Sequence, residues 1–274
     1  MRAERRSKKT GAGIEFADHR EYAPGDDFRY LDWNVYQRTG RLLVRLFEEE
    51  EDLAVYVLVD ASASMGMKPI DPATPSKLRF AKQLAAGLGY VALAGLDRVS
   101  VLALRDLEGR RPEDRLAPTR GKNRVFRIFE MLRAVRAEGN TDLRTSLRTF
   151  AAQNKRRGVA ILISDLYDPR GFEEAINQLR FAKFETYVLH VIDPNEARPP
   201  LHGDVRIVDR ETGESRDVTV TPKLLSKLAA AHDTYRQRVE AFCGEKQVAY
   251  HALTTDTPFD DAILQVLRGG GLVR

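Results

Sequence analysis

The sequence is poor in the residues that build disulfides and soft-metal sites. Its 274 residues include one cysteine, Cys243, which excludes an intramolecular disulfide and any zinc cluster made of cysteines. The five histidines show none of the spacings that are typical of a histidine metal site. A chain without disulfides fits a reducing compartment, and we expect a cytoplasmic protein.

Long apolar runs and nucleotide motifs are missing as well. The longest uncharged apolar run, residues 84–96, is too short to cross a bilayer and lies between Lys82 and Asp97. The basic residues at 1–9 are not followed by an apolar core, so no signal peptide is predicted. The sequence contains no Walker A motif and no Gly-x-Ser-x-Gly elbow, which argues against ATP turnover and against a serine hydrolase.

A mild net charge of +4 conceals a strongly basic stretch. Residues 98–157 contain 16 lysines and arginines against 7 aspartates and glutamates. Such a surface can meet nucleic acid, an acidic partner or an anionic membrane, but arginines also coat the exposed faces of ordinary helices. Because no helix-turn-helix, zinc finger or aromatic-interleaved basic motif is present, nucleic-acid binding through residues 98–157 is kept only as an alternative.

Apolar runs of strand length alternate with helical patterns along most of the chain. Strands are predicted at 41–48, 53–60, 99–104, 159–164, 186–193 and 248–253. Helices are predicted after Ser76, which can serve as an N-cap, and at 122–136, 142–155, 171–181, 222–244 and 259–268. A polar β-hairpin insertion is predicted at 201–221.

This alternation predicts the fold class. Strands that alternate with helices indicate a parallel sheet with right-handed crossovers. We therefore predict an α/β fold over 49–274, with a doubly wound, mainly parallel sheet flanked by helices. Residues 1–48 form an N-terminal extension with several large apolar residues, among them Phe16, Tyr22 and Trp33, and we expect it to pack on the main domain. Ligands of such sheets bind outside the carboxyl ends of the strands, where strand order reverses.

Polar side chains follow two of the buried strands. The stretch VYVLVDASASM places Asp60, Ser62 and Ser64 on alternate residues after the first of them. Alternate side chains of an extended segment share one side, so these three oxygens can converge on one point. Mg²⁺ prefers an octahedron of oxygen ligands and usually takes one or two carboxylates. The pattern therefore predicts a site for a hard divalent cation.

Two distant residues can complete this site. Thr141 follows a glycine-led loop at the start of a predicted helix, and Asp165 directly follows the strand predicted at 159–164. Plain structural explanations exist too, because the two serines can form a turn, Thr141 can cap its helix and Asp165 can cap the helix after Arg170. The predicted metal ligands are Asp60, Ser62, Ser64, Thr141 and Asp165, with Mg²⁺, or Mn²⁺ or Ca²⁺, as the ion.

In this order, DASAS, Thr141 and Asp165 resemble the metal-ion-dependent adhesion site of von Willebrand factor A-type domains. That family combines Asp-x-Ser-x-Ser with a loop threonine and with an aspartate that follows a later strand. The resemblance implies that a carboxylate of a protein partner completes the coordination of the ion. It also implies a von Willebrand A-like, Rossmann-like arrangement of the sheet.

A second resemblance lies before the metal-site strand. Its residues are Gly13 to Phe16, Arg20 to Tyr22, Pro24 to Asp27, Arg29, Asp32, Trp33 and Arg38 to Gly40. Together they are similar to the signature of the bacterial family called domain of unknown function 58. Its members carry this block before a von Willebrand A-like domain and are often encoded beside MoxR-type AAA+ ATPases. We expect charged residues of the block, Arg20, Asp26, Asp27, Arg29 and Asp32, to form hydrogen-bonded ion pairs that hold the extension on the main domain, with a binding role of that surface as the alternative.

These features predict a divalent-metal-dependent protein-binding module. The family resemblance implies a MoxR-type AAA+ ATPase as partner, in the assembly or maturation of a protein complex. We predict no enzymatic activity and no nucleic-acid binding. The alternative is a metal-dependent hydrolase or phosphoryl-transfer enzyme, although phosphoryl-transfer aspartates usually have a second acid two residues on, where this chain has Ser62.

Overall fold

A computed structural model describes residues 10–11, 15–48, 53–69, 72–105, 114–209 and 213–270. Residues 1–9 and 12–14 of the predicted extension and residues 210–212 of the predicted hairpin lie outside these ranges. The chain divides into two units, Met1–Asp52 and Leu53–Arg274. The second unit contains both strands that end at the predicted metal ligands.

The first unit is built around a small antiparallel sheet. Strand β3 (Leu43–Glu48) lies between β1 (Thr10–Gly11) and β2 (Glu15–Glu21), and helix α1 (Trp33–Thr39) precedes β3. The strand predicted at 41–48 is thus confirmed, whereas β2 and α1 were not predicted. The α1 helix begins at Asp32, whose side chain accepts hydrogen bonds from two backbone N–H groups, and ends at Gly40 in the left-handed conformation.

The ion pairs predicted for this block are present. Arg20 donates two hydrogen bonds to Asp26, at 2.7 and 2.6 Å, and Asp26 also accepts from the backbone N–H of Ala23, which closes the turn. Arg29 pairs with Asp27 at 2.6 Å. These pairs join residues of the block to one another, and the Arg20 hydrogen bond holds the pKa of Asp26 below its ordinary value.

The second unit contains a six-stranded sheet. Its strands are β4 (Ala54–Asp60), β5 (Arg98–Leu104), β6 (Arg115–Arg120), β7 (Val159–Ser164), β8 (Glu185–Ile192) and β11 (Ala249–Thr254). Their order is β11-β8-β7-β4-β5-β6, and every neighbouring pair is parallel except β5 and β6. The predicted doubly wound, mainly parallel sheet is confirmed. The antiparallel edge strand β6 was not predicted, because its sequence, RLAPTR, contains a proline and few apolar residues.

Helices cover both faces of this sheet. Alternate residues of β4 point to opposite faces, so Val55, Val57 and Val59 belong to one core cluster while Tyr56 and Leu58 belong to the other. The first face is covered by α2 (Lys77–Ala94), α3 (Val125–Ala134) and α8 (Phe259–Gly270). The second face is covered by α4 (Leu143–Gln153), α5 (Glu173–Phe181) and α7 (Pro222–Glu245). This two-sided burial explains the near-continuous apolar sequence of β4.

Two glycines let α2 sit between its neighbours. A Cβ atom at Gly87 would lie 2.9 Å from Ile263 of α8, and one at Gly89 would lie 2.9 Å from Ile128 of α3. A side chain at either position would force the end of the neighbouring isoleucine to move, so the two glycines favour this close packing.

A hairpin and a short helix complete the described part of this unit. Strands β9 (Gly203–Val208) and β10 (Ser215–Val220) pair in antiparallel register, which confirms the hairpin predicted at 201–221. The one-turn helix α6 (Pro194–Ala197) directly follows β8 and was not predicted. None of the helices in the described ranges has the length and hydrophobicity needed to span a bilayer.

Candidate metal centre

The predicted ligands lie where the strand order of the sheet reverses. From β4 the chain crosses through α2 to β5 on one side, while β7 pairs with β4 on its other side. Val59 pairs with Ile163, so Asp60 at the end of β4 lines up with Ser164 at the end of β7, and Asp165 follows. This edge is the position at which doubly wound sheets bind ligands.

Asp60 is a buried carboxylate held by local donors. Its side chain is 1% exposed. The Ser62 backbone N–H donates to Oδ1 at 3.0 Å, and the Ser164 hydroxyl donates to Oδ2 at 2.6 Å. Burial, together with the nearby charge of Asp165, raises the pKa of Asp60 to about 6. The ionised carboxylate is therefore costly in the protein alone, and a bound cation would relieve that cost.

The two serines lie next to each other at this carboxylate. A single 3₁₀ turn, Ala63–Gly66, begins after Ser62 and turns the chain toward the following loop. The Oγ atoms of Ser62 and Ser64 are 3.0 Å apart and share a hydrogen bond. The convergence that was expected from their alternate spacing is therefore present for this pair.

The loop that carries Thr141 is hydrogen-bonded to the serine loop. The Ala63 N–H donates to the Gly139 carbonyl at 3.0 Å, and the Glu138 N–H donates to the Ala61 carbonyl at 3.0 Å. Thr141 lies two residues after Gly139 and is 6% exposed. The N-cap of α4 is Asp142, which accepts from the Thr145 N–H at 2.9 Å, so the alternative of Thr141 as the helix cap is wrong.

Asp165 is fully buried and has partners of its own. Its Oδ2 accepts a hydrogen bond from Lys77 Nζ at 2.6 Å, and its Oδ1 accepts from the Tyr167 N–H at 3.2 Å. The N-cap of the following helix, α5, is Phe172. The alternative of Asp165 as the cap of that helix is therefore wrong. Ser164, which directly precedes Asp165, donates to Oδ2 of Asp60 at 2.6 Å, so the two aspartates lie at the same edge of the sheet.

Lys77 is a residue of the candidate site that the sequence analysis did not identify. It is the first residue of α2, its side chain is 3% exposed, and its Nζ also lies 2.5 Å from Oε1 of Glu196 in α6. Burial lowers the pKa of Lys77, but the charges of Asp165 and Glu196 raise it more, so its pKa lies above the ordinary value and the ammonium stays charged. A lysine in the first turn of an amphipathic helix gives no signal of burial in the sequence.

Asp168 ties the Asp165 loop to the start of α4. Its Oδ2 accepts from the Leu143 N–H at 2.8 Å, and its Oδ1 accepts from the Arg170 N–H at 2.8 Å. Arg170 in turn pairs with Asp142. These contacts link the segment that bears Asp165 to the segment that bears Thr141, although the sequence offered no pattern that marks Asp168.

The donor set fits a hard divalent cation. Neighbouring ligands of an octahedral Mg²⁺ ion, at about 2.1 Å from the metal, lie about 3 Å apart, and the Ser62 and Ser64 oxygens have this separation. In the described part of the chain no group of three or more His, Cys, Asp and Glu side chains is placed to hold a metal. An ion here would therefore depend on hydroxyl oxygens, which favours Mg²⁺, Mn²⁺ or Ca²⁺ over softer metals.

Few formal charges would surround such an ion. Asp60 and Asp165 are the carboxylates among the predicted ligands, and Asp165 already carries a hydrogen bond from a lysine. An ion held mainly by neutral oxygens keeps positive charge and attracts a carboxylate from outside. The buried His190 is a poor catalytic base in this neighbourhood, because burial lowers its pKa to about 4 and its Nδ1 is bonded to the Tyr250 hydroxyl at 2.9 Å.

Sequence comparison connects most of the chain to one family. The family model described as "Protein of unknown function DUF58" matches residues 18–238. An uncharacterized protein of Mycobacterium tuberculosis is 28% identical over 237 residues, which covers 85% of this chain and 73% of that protein. The uncharacterized protein YeaD of Bacillus subtilis is 30% identical over 77 residues, which covers 28% of this chain and 19% of that protein.

Solved structures with similarity to this chain include two bacterial proteins. One is an aerotolerance-related membrane protein from Bacteroides fragilis, with 16% identity and a TM-score of 0.49, covering 79% of this chain and 98% of that one. Another is a von Willebrand factor type A structure from Catenulispora acidiphila, with 15% identity and a TM-score of 0.42, covering 81% and 42%. Both scores lie below 0.5, and the doubly wound fold described above rests on the strand order and register of this chain itself.

Proposed function

The chain belongs to the DUF58 family, and from that premise and the geometry around Asp60 we propose that it is a divalent-cation-dependent protein-binding module. Asp60, Ser62 and Ser64 would hold the ion directly. Thr141 and Asp165 would complete the shell, either directly or through water. The bound ion would supply a positive centre at the carboxyl edge of the sheet, and a partner would approach it past the half-buried Ser64.

One observation carries this proposal. A buried carboxylate with a raised pKa ends the central strand, two residues before a pair of hydroxyls spaced 3.0 Å apart. A polar turn without a ligand has no need to bury a carboxylate beside a second one, because ionising both is unfavourable. A divalent cation removes this conflict and uses the two hydroxyls at the same time.

The partner would contribute an acidic side chain. A cation with few charged ligands gains most from an added carboxylate, and such a contact breaks when the metal is removed. The family resemblance implies a MoxR-type AAA+ ATPase, or a client of that ATPase, in the assembly or maturation of a protein complex. An ATP-dependent partner needs the ATP of the cytoplasm, so we propose that the protein acts in that compartment. We propose binding rather than catalysis, since the buried, weakly basic His190 is poorly suited to activate a hydroxyl.

Calorimetric titration with Mg²⁺ and Mn²⁺ tests the metal site. The wild-type protein should bind one divalent ion, and Asp60→Ala should abolish this binding because it removes the central carboxylate. Asp217→Ala is the matched control, since it removes an exposed aspartate of the hairpin that is paired with Arg206. Equal heats from wild type and Asp60→Ala would contradict the proposal, whereas the control variant should bind like the wild type.

A further inference from the structure

A buried lysine already occupies one carboxylate of the candidate metal centre. Lys77 Nζ lies 2.6 Å from Oδ2 of Asp165 and 2.5 Å from Oε1 of Glu196. Both the lysine and Asp165 are almost completely buried, at 3% and 0% exposure. An ammonium group and a divalent ion both seek the Asp165 oxygens, so the two cations compete for the same ligand.

Glu196 is equipped to keep the lysine when Asp165 is taken away. Its second oxygen, Oε2, is buried and has no hydrogen-bond partner. A lysine ammonium has three N–H donors, so Lys77 can exchange its bond to Asp165 for one to this free oxygen. Glu196 belongs to α6, whereas Asp165 follows β7, so the two acceptors lie on separate elements. The face of the Tyr167 ring gives the ammonium further support, with 5.4 Å from Nζ to the ring centroid.

We propose that Lys77 is the cation bound to Asp165 in the metal-free protein. A divalent ion that binds the site displaces Lys77 from Asp165, and Glu196 retains the lysine. The inference rests on the metal site proposed above and adds a control of its affinity by two residues outside the ligand set. A lysine stranded in the interior without a counter-charge would be strongly unfavourable. Because Glu196 still pairs with Lys77, the exchange breaks the Lys77–Asp165 ion pair without leaving the buried ammonium unpaired.

The charges of the cluster agree with this exchange. Three carboxylates, Asp60, Asp165 and Glu196, are offset by the single ammonium of Lys77, which leaves two negative charges when all four groups are ionised. This excess of negative charge attracts a divalent cation to the cluster. Before the ion arrives, Lys77 limits the repulsion between Asp165 and its neighbours, so the site can fold without metal.

Two single variants should change ion affinity in opposite directions. Lys77→Met removes the competing cation and frees Asp165, and we expect it to bind Mg²⁺ about tenfold more tightly than the wild type. Glu196→Gln removes the carboxylate that retains the lysine, so Lys77 stays on Asp165 and Mg²⁺ binding should weaken by about fivefold. Lys82→Met is the matched control, because Lys82 lies on the same helix but donates to the Val135 carbonyl.

The double variant separates the exchange from a general effect of charge. Lys77→Met with Glu196→Gln removes one positive and one negative charge, so electrostatics alone predicts an affinity like that of the wild type. The exchange predicts an affinity like that of Lys77→Met, because Glu196 acts on the ion only through Lys77. This double-mutant cycle reports the coupling between the two residues directly. The double variant also leaves fewer unpaired buried charges, so it serves if Lys77→Met alone does not fold.

Calorimetry with Mg²⁺ alone provides the affinities, and circular dichroism in EDTA checks that each variant is folded. Tight binding by the double variant, at the level of Lys77→Met, would support the exchange. Wild-type binding that is lost in Asp60→Ala but is not tightened by removing Lys77 would overturn the exchange and leave the metal site standing. Absence of binding in the wild type and in all variants would overturn both.

Discussion

Asp60 is under opposing electrostatic influences in a protein without bound metal. The residue is buried, and it lies in the field of a second buried carboxylate, Asp165. Each feature favours the protonated form, yet the donors from Ser62 and Ser164 favour the carboxylate. The result is a pKa of about 6, close enough to neutrality for the residue to be ionised at pH 7. Its folding energetics should therefore change within an accessible pH range.

Stability in EDTA should depend on pH through Asp60. The pKa is raised from 3.8 in the unfolded chain to about 6 in the folded protein, so the folded state binds more protons between these values. Stability therefore falls as pH rises through this window. Compared with Asp60→Asn, which cannot titrate, the wild type should lose about 2 kcal/mol of unfolding free energy between pH 4 and pH 7.

Urea denaturation of both proteins across this pH range measures the difference. Saturating Mg²⁺ should flatten the difference for the wild type, because a bound cation stabilises the ionised carboxylate. If the unfolding free energies of wild type and Asp60→Asn in EDTA changed with pH in the same way, Asp60 would have the same pKa in the folded and unfolded states. That result would contradict the expected effect of burial.

At the scale of elements, α2 connects the metal centre to the core. The helix presents Leu84, Ala85 and Leu88 to the sheet, while its first residue, Lys77, reaches the two carboxylates. A lysine at a helix N-terminus opposes the helix dipole, but the carboxylates of Asp165 and Glu196 supply the negative charge favoured at that end. The position of the lysine thus depends on where α2 begins.

The start of α2 is set by Ser76. Its hydroxyl accepts a hydrogen bond from the Arg79 N–H at 3.3 Å. Removing this cap in Ser76→Ala should destabilise the protein by about 1 kcal/mol. Ser226→Ala is a suitable control, because Ser226 lies inside the exposed part of α7, where alanine is the better helix former. Thermal unfolding of both variants and of the wild type measures the effect, and Ser76→Ala should have the lowest melting temperature. Equal melting temperatures for Ser76→Ala and the wild type would contradict the capping role.

At the scale of the whole molecule, two regions could bind partners of different chemistry. The carboxyl edge of the sheet carries the candidate metal centre, whereas residues 98–157 carry a local excess of positive charge, with 16 lysines and arginines against 7 aspartates and glutamates. Within the basic stretch, Phe126 and Phe129 of α3 are exposed and pack edge to face. A partner held by the ion requires the metal, and a partner held by the basic surface requires low salt.

Capture of a partner from a native lysate should therefore depend on the ion. A partner should be retained by the wild type with Mg²⁺, released by EDTA, and missing with Asp60→Ala under every condition. Moderate salt should have little effect, because a carboxylate bound to a metal is not held by diffuse charge. Nucleic acid bound through the basic stretch would show the reverse, with steep salt dependence and no response to EDTA.

Sequence periodicity determined the main fold of this protein because it records burial locally. The apolar run at 53–60 requires burial on both faces, which only a covered parallel strand provides. The position of Asp60, Ser62 and Ser64 at its end was also visible in contiguous residues. Elements with weak local patterns were missed, among them β2, α1, α6 and β6, because they depend on pairing or packing with distant segments.

Tertiary structure alone decided the electrostatics of the candidate site. The sequence marks Asp165 as a potential ligand. It does not show that Lys77 is buried against Asp165 or that Glu196 contacts the same lysine. These three residues come from α2, the loop after β7 and α6, which meet only when the sheet has formed. Local sequence determines where a charged side chain leaves the backbone, whereas its partner, its burial and its pKa depend on chain segments brought together by folding.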